Sequence, residues 1–317
     1  NDWTPNNLVG SAPGLSTADQ GFDAVTYSGN GSTQSISGLN FQSDFVWLKE
    51  TGPRNNVSHQ LYDVVRGTSK MLQSDNTGAE ATISGVTGFT SNGFNLGSNG
   101  GGNNSGSNYV AWCWKADGGG SALNTGSINA TVSANTTYGF SIIKYEGTGS
   151  NGTVAHGLGA VPKMFIGRNL EDTSGSLDWI VYHESVGNTG RLKLNTTGDI
   201  STSSTFFQDT SPTDSLITIG TSNDINKDND NYILYCWSEI SGFSKFGSYS
   251  GLSTTLGPKV ETGFKPKLVV VKRTDDAGNW TVYDSARSLD KDLKWNTHES
   301  EGTAPIIFHS DGFQLNY

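Results

Sequence analysis

Short apolar runs alternate along the chain with polar stretches that are rich in Gly, Asn, Ser and Thr. Within these runs the apolar side chains follow a period of two, which is typical of β-strands. The run at residues 108–115 (NYVAWCWK) is apolar on both faces and therefore predicts a strand between two packed layers. Alternate residues form its two faces, Tyr109, Ala111 and Cys113 on one side and Val110, Trp112 and Trp114 on the other.

The same order of motifs recurs three times, at offsets of about 100 to 125 residues. Each copy opens with an aromatic run, at 22–27, 140–145 and 246–249. The first two copies close with NYVAWCWK and NYILYCWSE, whereas the third stops at Tyr317 after SDGFQL. Because an open hydrophobic strand edge invites aggregation, we expect the chain to continue or another chain to supply the missing strand.

About seven short strands per copy predict an all-β fold of tandem antiparallel β-sandwich modules with little helix. The predicted boundaries are a connecting segment at 1–20, module 1 at 21–117, a Gly/Ser/Asn-rich linker at 118–138, module 2 at 139–246 and module 3, without its closing strand, at 247–317.

The composition agrees with this fold and limits the partners. The 317 residues include 41 Gly and are only 16% charged, which disfavours helices, while 8 Trp, 11 Tyr and 14 Phe exceed what a disordered chain carries. The formal net charge is −10 and Lys and Arg form no cluster, so we expect no binding to nucleic acid. No apolar run approaches the ~20 residues of a membrane helix, so we expect no membrane insertion. Cys113 and Cys236 occupy equivalent positions of separate copies and are expected to be buried thiols rather than a disulfide.

Motifs for catalysis are missing from the sequence. Glu239 has no acidic partner on the same strand face, and the five His residues have no metal-ligand spacing. We therefore expect a protein that is not an enzyme and that needs no cofactor except, as one alternative, calcium. Four alternating oxygen donors form the calcium candidate, Asp224, Asn226, Asp228 and Asp230. An Asx-rich turn explains the same residues.

A Y-D-x-x-R motif occurs in the first and third copies and is altered in the second. Its three versions are Tyr62, Asp63 and Arg66; Tyr182, His183 and Val186; and Tyr283, Asp284 and Arg287. The motif has two interpretations, an Asp–Arg pair that fixes a strand end and a polar clamp for a ligand such as a sugar. The candidate ligand-binding residues are Trp280, Asp284, Arg287, Asp63, Arg66 and Trp179.

The tryptophans divide into two predicted groups. Those within strands are expected in the core, namely Trp47, Trp112, Trp114 and Trp237, and so is Trp295, which occupies the position of Leu72 and Leu194 in the other copies. Trp179 and Trp280 follow polar loops and are expected to be partly exposed, where an aromatic face could stack on a sugar.

Several longer segments resemble a repeated module of virion proteins from tailed bacteriophages. They are QGFDAVTYSGNGSTQSISGLNFQSDFVWLK, LYDVVRGTSKML, GFTSNGFNLG and NYVAWCWKADG in the first copy, and YGFSIIKYEGTG, TVAHGLGAVPKM and YCWSEISGFSKFGSYSG in and after the second. The resemblance implies concanavalin A-like (laminin-G-like) or jelly-roll sandwiches and a location on the virion surface, in a tail or fibre.

Two functions follow from that resemblance. The first is a tail-fibre adhesin that binds host cell-surface glycan through repeated weak sites, helped by assembly into a homo-oligomer such as a trimer. The second is a structural head-decoration or fibre protein that contacts other virion proteins. An adhesin should expose aromatic and polar clusters at its module tips, and a decoration protein should present a flat apolar face of more than ~1,000 Å².

Overall fold

The structure, a computed structural model, describes residues 17–53, 56–252 and 254–316. Most of the predicted connecting segment at 1–20 lies outside the described residues; its end forms a 3-10 turn at Ala18–Gln20. The predicted fold class is confirmed, because antiparallel sheets dominate and the described helices are single turns of four residues. No helix in these ranges is long and apolar enough to cross a membrane.

The described residues of module 1 form nine strands and one short α-helix. An inner sheet has the order β1-β9-β3-β4 and an outer sheet the order β2-β8-β7, while β5 and β6 form a hairpin beside β4. The elements are β1 (Phe22–Ser28), β2 (Gln34–Ser37), β3 (Phe45–Glu50), β4 (Gln60–Asp63), β5 (Lys70–Met71), β6 (Ala81–Thr82), β7 (Val86–Thr90), β8 (Gly93–Leu96), α1 (Gly100–Asn103) and β9 (Asn108–Trp114).

Module 2 contains ten strands and two short helices. Its inner sheet has eight strands in the order β10-β11-β12-β19-β14-β15-β16-β17, and its outer layer is the pair β13-β18. The elements are β10 (Ser121–Leu123), β11 (Ala130–Asn135), β12 (Phe140–Glu146), β13 (Gly152–Ala155), β14 (Pro162–Asn169), β15 (Ile180–His183), β16 (Gly190–Lys193), β17 (Ser201–Thr202), α2 (Ser204–Phe207), β18 (Leu216–Ile219), α3 (Asn223–Asn226) and β19 (Asn231–Ser238).

Seven strands are formed by the part of module 3 that the structure describes. Its inner sheet has the order β21-β22-β23-β24 and its outer sheet the order β20-β26-β25. The elements are β20 (Leu256–Glu261), β21 (Leu268–Lys272), β22 (Trp280–Asp284), β23 (Lys291–Lys294), β24 (Gly302–Thr303), β25 (Ile306–His309) and β26 (Gly312–Asn316). In sequence and register, β21 corresponds to β3 and β14, and β22 corresponds to β4 and β15.

The three inner sheets pack against one another around a single shared core. The ring of Trp47 in module 1 stacks on that of Trp295 in module 3, with centroids 4.2 Å apart. Phe45 of module 1 stacks in the same way on Tyr235 of module 2, at 4.1 Å. Three smaller clusters fill the sandwiches between each inner sheet and its outer layer. The modules are therefore arranged cyclically around one core, rather than strung along the chain with separate cores only.

The two predicted faces of the closing strand β9 are confirmed. Val110, Trp112 and Trp114 enter the shared core, and the alternate residues Ala111 and Cys113 enter the sandwich of module 1. Cys236 takes the corresponding place in module 2, so both thiols are buried and free, as predicted. Burial raises the pKa of each thiol, which keeps it protonated and unreactive.

The interpretation of residues 118–138 as a linker is wrong. This segment contains β10 and β11, and β11 pairs with β12 along its whole length, from Ala130 opposite Tyr145 to Asn135 opposite Phe140. The segment has the composition of a flexible connection. Its small and β-branched residues nevertheless suit strands that extend an existing sheet.

The third aromatic run, at 246–249, does not form a strand, in contrast to its counterparts β1 and β12. Among the described residues, β1 pairs with β9 alone, and β12 pairs with β19 on one side. Module 3 has no closing strand among its described residues, whereas β9 and β19 are the closing strands that pair with β1 and β12.

Candidate functional site

The Asp–Arg pair of module 1 is fully buried between modules 1 and 2. Asp63 ends β4, and its Oδ1 accepts the backbone N–H groups of Val65 (3.0 Å) and Arg66 (2.8 Å). The guanidinium of Arg66 binds Asp63 Oδ2 through Nε at 2.5 Å and Glu80 Oε2 through Nη1 at 3.2 Å. Burial alone would lower the pKa of Arg66, but the charge of Asp63 raises it above its usual value. Asp63, Arg66 and Glu80 are called the module 1 triad.

Module 3 repeats this triad atom by atom. Asp284 ends β22 and accepts the backbone N–H groups of Ala286 and Arg287 through Oδ1. Arg287 Nε lies 2.7 Å from Asp284 Oδ2, and its Nη1 lies 3.3 Å from Glu301 Oε2. Asp284, Arg287 and Glu301 are the module 3 triad, and the interpretation of the motif as a pair that fixes a strand end agrees with this geometry.

Each triad also receives an aromatic donor from the closing strand of a neighbouring module. The hydroxyl of Tyr235, on β19 of module 2, donates to Asp63 Oδ2 at 2.8 Å. The indole Nε1–H of Trp112, on β9 of module 1, donates to Asp284 Oδ2 at 3.0 Å. Tyr235 and Trp112 occupy the same position of the closing-strand motif, so both triads join two modules in the same manner.

The prediction of a ligand clamp at these residues is wrong for the described structure. Trp179 and Trp280, expected to be partly exposed, have 0% and 4% of their surface accessible. Asp63, Arg66, Asp284 and Arg287 are likewise buried and bonded to other protein groups. The polar loops that precede Trp179 and Trp280 suggested exposure, but a neighbouring module covers both rings.

A cycle of ring N–H donors connects the three modules. Trp179 Nε1 of module 2 donates to Gln73 O of module 1 at 2.9 Å, and Trp280 Nε1 of module 3 donates to Lys193 O of module 2 at 2.9 Å. His59 of module 1 occupies the position that corresponds to both tryptophans.

His59 completes the cycle as a neutral ring. Its Nδ1 accepts the indole N–H of Trp47 at 2.9 Å, so the proton resides on Nε2, which lies 3.0 Å from Lys294 O of module 3. Burial lowers the pKa of His59 well below its usual value, in agreement with the neutral form. Column-by-column alignment of the three copies is the sequence signal that could have identified this histidine, as well as Glu80 and Glu301.

The candidate calcium ligands do not converge on a common point. Asn226 Nδ2 donates to Gly220 O at 2.7 Å, Asp224 Oδ1 accepts the N–H of Asp178 at 2.7 Å, and Asp230 Oδ2 binds Lys227 Nζ at 2.9 Å. Asp228 accepts from Asn229. Within the described ranges, no group of three or more His, Cys, Asp or Glu side chains is placed to hold a metal ion.

Asn226 has a counterpart in module 1 that explains its role. Asn103 ends α1 as Asn226 ends α3, and its Nδ2 donates to Gly97 O at 2.9 Å. Each Oδ1 accepts a backbone N–H from a loop, that of Asn30 after β1 in module 1 and that of Thr148 after β12 in module 2. This asparagine therefore fixes the turn before each closing strand, as the Asx-turn interpretation expects.

An ammonium group is buried near the junction of modules 1 and 3. Lys49 on β3 is 1% exposed, and its Nζ donates to Glu50 O at 2.8 Å. Burial lowers the pKa of Lys49 to about 8, although the charges of Asp75 and Glu50 oppose that change. Burial also raises the pKa of Asp75, whose Oδ1 accepts the backbone N–H of His59.

An open cleft of about 380 Å³ lies between modules 1 and 2. Its polar lining consists of Glu80, Lys144, Glu171, Thr173 and Asn231. Glu171 Oε1 accepts the amide of Asn231 at 2.7 Å, and Glu80 is held by Arg66. This lining can exchange hydrogen bonds with a polar ligand, but it contains no aromatic ring on which a sugar could stack.

Fold and buried network together define a class, an all-β protein of three sandwich modules joined cyclically through buried polar contacts. The chain belongs to the family described as a domain of unknown function, DUF7483, whose model matches residues 17–317. No curated protein and no solved structure shows significant similarity to the chain.

Proposed function

We propose that this chain is a non-enzymatic structural protein of a tailed-bacteriophage virion, in which the three modules form one block that contacts other virion proteins. The resemblance of its repeats to virion proteins supports that setting. The structural role rests on one observation, the use of the Asp–Arg pairs and of Trp179 and Trp280 as buried contacts between modules. These side chains serve rigidity and are not available to a ligand.

Exposed apolar side chains in module 3 support a contact with a neighbouring subunit. Among the described residues, five of the six exposed large apolar side chains follow residue 246: Tyr249, Leu252, Leu256, Leu289 and Ile307. The sixth is Val161. An excess of exposed apolar side chains in one module is consistent with a protein–protein contact of that module.

Adhesion to host cell-surface polysaccharide is the second candidate function. The cleft lined by Lys144, Glu171 and Asn231 favours it, since such groups bind sugar hydroxyls. Tyr249 is the one large aromatic side chain counted as exposed in the described ranges, whereas an adhesin should expose aromatic clusters at its tips. The structural role therefore has the stronger support.

The position of the protein in an intact particle tests the proposal. Gold-labelled antibody against the purified chain should decorate the capsid or the length of a fibre. Decoration confined to the tail tip would favour the adhesin, and a particle without the protein would contradict both functions.

A second assay measures binding of host polysaccharide to the purified chain and to a Lys144→Ala variant. Weaker binding by the variant would favour the adhesin through the cleft, and cleavage of the polysaccharide would contradict both functions. Sedimentation of the same sample tests the predicted homo-oligomer.

A further inference from the structure

Strand β21 lies at the edge of the inner sheet of module 3, whereas its counterparts lie inside their sheets. In module 1, β3 lies between β4 and β9, and in module 2, β14 lies between β15 and β19. Throughout the described ranges, β21 pairs with β22 alone. One of its two edges is therefore open to strand pairing.

The register shows which backbone groups face the open edge. Ser285 N donates to Lys267 O at 2.9 Å, and Leu268 lies opposite Asp284. Because hydrogen-bonded and non-bonded pairs alternate along antiparallel strands, Val269 and Val271 bond to β22. The N–H and C=O groups of Leu268, Val270 and Lys272 consequently point toward the open edge.

The run at 246–249, the counterpart of β1, contacts the outer sheet of module 3 as β1 contacts the outer sheet of module 1. In module 1, the ring of Tyr27 on β1 meets that of Phe94 on β8 at 6.3 Å and 75°. In module 3, Tyr249 meets Phe313 on β26 at 6.2 Å and 80°. Residues 246–249 thus have the same ring contact as β1 without pairing as a strand. In module 1, the strand between β1 and β3 is the closing strand β9.

We propose that the open edge of β21 binds one antiparallel strand of a partner polypeptide. Strands β9 and β19 indicate the chemistry of the partner strand, since each of them is apolar on both faces. By the register of β19 on β14, which places Trp237 opposite Met164 and Tyr235 opposite Ile166, the partner strand presents one residue opposite Leu268 and another opposite Val270.

The motif of module 2 indicates which type of side chain the partner strand carries opposite Val270. By analogy with Trp112 and Tyr235, this residue would contact the motif of module 2, where Val186 and Ile200 replace the Arg and Glu of the triads. His183 replaces the Asp, and its Nδ1 already accepts the N–H of Ser185 at 3.1 Å. A hydroxyl or indole N–H there would lack the carboxylate that it meets in the other modules, so the partner strand carries an aliphatic residue at this position.

The inference rests on the proposed function only in that both require a partner polypeptide. It is tested on the intact 317-residue chain with two synthetic peptides under reducing conditions. One peptide has the sequence of residues 231–238 (NYILYCWS), and the other carries the Tyr235→Leu change. Hydrogen exchange is measured at single amides of β21, β3 and β14.

Binding should slow exchange of the Val270 amide and leave those of Val269 and Val271, already bonded to β22, unchanged. The amides of β3 and β14 should not respond, because those strands have partners on both sides. The Tyr235→Leu peptide should bind about tenfold more tightly than the unchanged peptide, since it buries no hydroxyl without a partner.

The variant Val270→Pro removes the N–H that faces the open edge and spares the bonds to β22, so it should fold and lose peptide binding. If that variant does not fold, the exchange measurement on the unchanged chain still decides. A peptide concentration of about 1 mM suffices to detect even weak binding. If exchange of the Val270 amide does not slow at that concentration, the proposal is overturned. Slowing that depends on protein concentration alone would also overturn it, because a second copy would then occupy the edge. Neither result depends on where the protein lies in the particle.

Discussion

Modules 1 and 2 have opposite chemistry at equivalent positions, with charged side chains in module 1 and mainly apolar side chains in module 2. Module 1 places the charged triad Asp63, Arg66 and Glu80 beneath the hydroxyl of Tyr235. Module 2 has His183, Val186 and Ile200 at these positions, and the side chains of Val186 and Ile200 pack against the shared core.

The charged triads occur where an aromatic hydrogen-bond donor is present, and the apolar version occurs where the described chain supplies none. Both triads lie where a closing strand from a neighbouring module presents an O–H or N–H to the aspartate. The apolar version lies where the described chain has no closing strand, and the ring of Phe246 approaches His183 instead, at 6.2 Å. At these three equivalent positions, a buried carboxylate occurs only where a cation and an aromatic donor bind it, and an unpaired buried charge would be strongly destabilising.

The largest effect is expected from removal of the cation of one triad. Arg66→Met leaves the carboxylate of Asp63 buried without its counter-charge and should lower the free energy of unfolding by about 3–5 kcal/mol. Urea denaturation measures the loss. Arg273→Met is the matched control, because Arg273 pairs with Asp275 at the surface and its loss should leave stability almost unchanged. Equal losses in both variants would contradict the buried triad.

The next effect concerns the cation at the junction of modules 1 and 3. Because burial lowers the pKa of Lys49 to about 8, the folded chain releases this proton at lower pH than the unfolded chain does. The stability contributed by Lys49 should therefore rise between pH 8 and the ordinary lysine pKa of 10.5, by up to about 3 kcal/mol.

Denaturation at a series of pH values, compared with Lys49→Met, isolates this contribution. Tyrosine and cysteine ionisation affects both chains and cancels in the difference. A difference that stays flat above pH 8 would show that Lys49 is not buried as described.

A smaller effect is expected from the aromatic donors. Tyr235→Phe deletes the O–H that Asp63 accepts and should lower stability by about 1.5–3 kcal/mol, the range of a hydrogen bond to a charged group. Trp112→Phe deletes the corresponding donor to Asp284 and should lose a similar amount, apart from the lost ring area.

A double-mutant cycle of Tyr235→Phe with Asp63→Asn measures the coupling of this pair. A coupling energy near zero would mean that the hydroxyl does not stabilise the triad.

The smallest change is expected when one junction receives the chemistry of the other. Asp63→His, Arg66→Val and Glu80→Ile, combined with Tyr235→Phe, convert the module 1 triad to its apolar equivalent. Replacing a whole buried ionic group by apolar residues is often neutral, so stability should stay within about 1 kcal/mol of the unchanged chain. Losses as large as that of Arg66→Met would show that the two chemistries are not interchangeable.

Much of the fold is predictable because strands are local. The alternation in residues 108–115 predicted both faces of β9, and the repeat predicted that Cys113 and Cys236 are separate buried thiols. The burial of Trp47, Trp112 and Trp295 was predicted correctly for the same reason.

The errors arise where one module covers another. A strand pattern shows which residues share a face, but it does not show that a neighbouring module buries that face, so Trp179 and Trp280 were expected at the surface. Composition alone suggested a linker where β10 and β11 extend a sheet. The spacing of the candidate calcium residues does not show that Asn226 has a counterpart, Asn103, with the same backbone contacts in module 1.

The shared core should make the three modules unfold as one cooperative block. One indole N–H reports on each junction: that of Trp112 joins modules 1 and 3, that of Trp179 joins modules 2 and 1, and that of Trp280 joins modules 3 and 2. Native-state hydrogen exchange of these three protons measures the opening free energy of each junction. If the block is cooperative, the three protons share one opening free energy, equal to the global free energy of unfolding. Three values that differ by several kcal/mol would contradict it and would mean that the modules open independently.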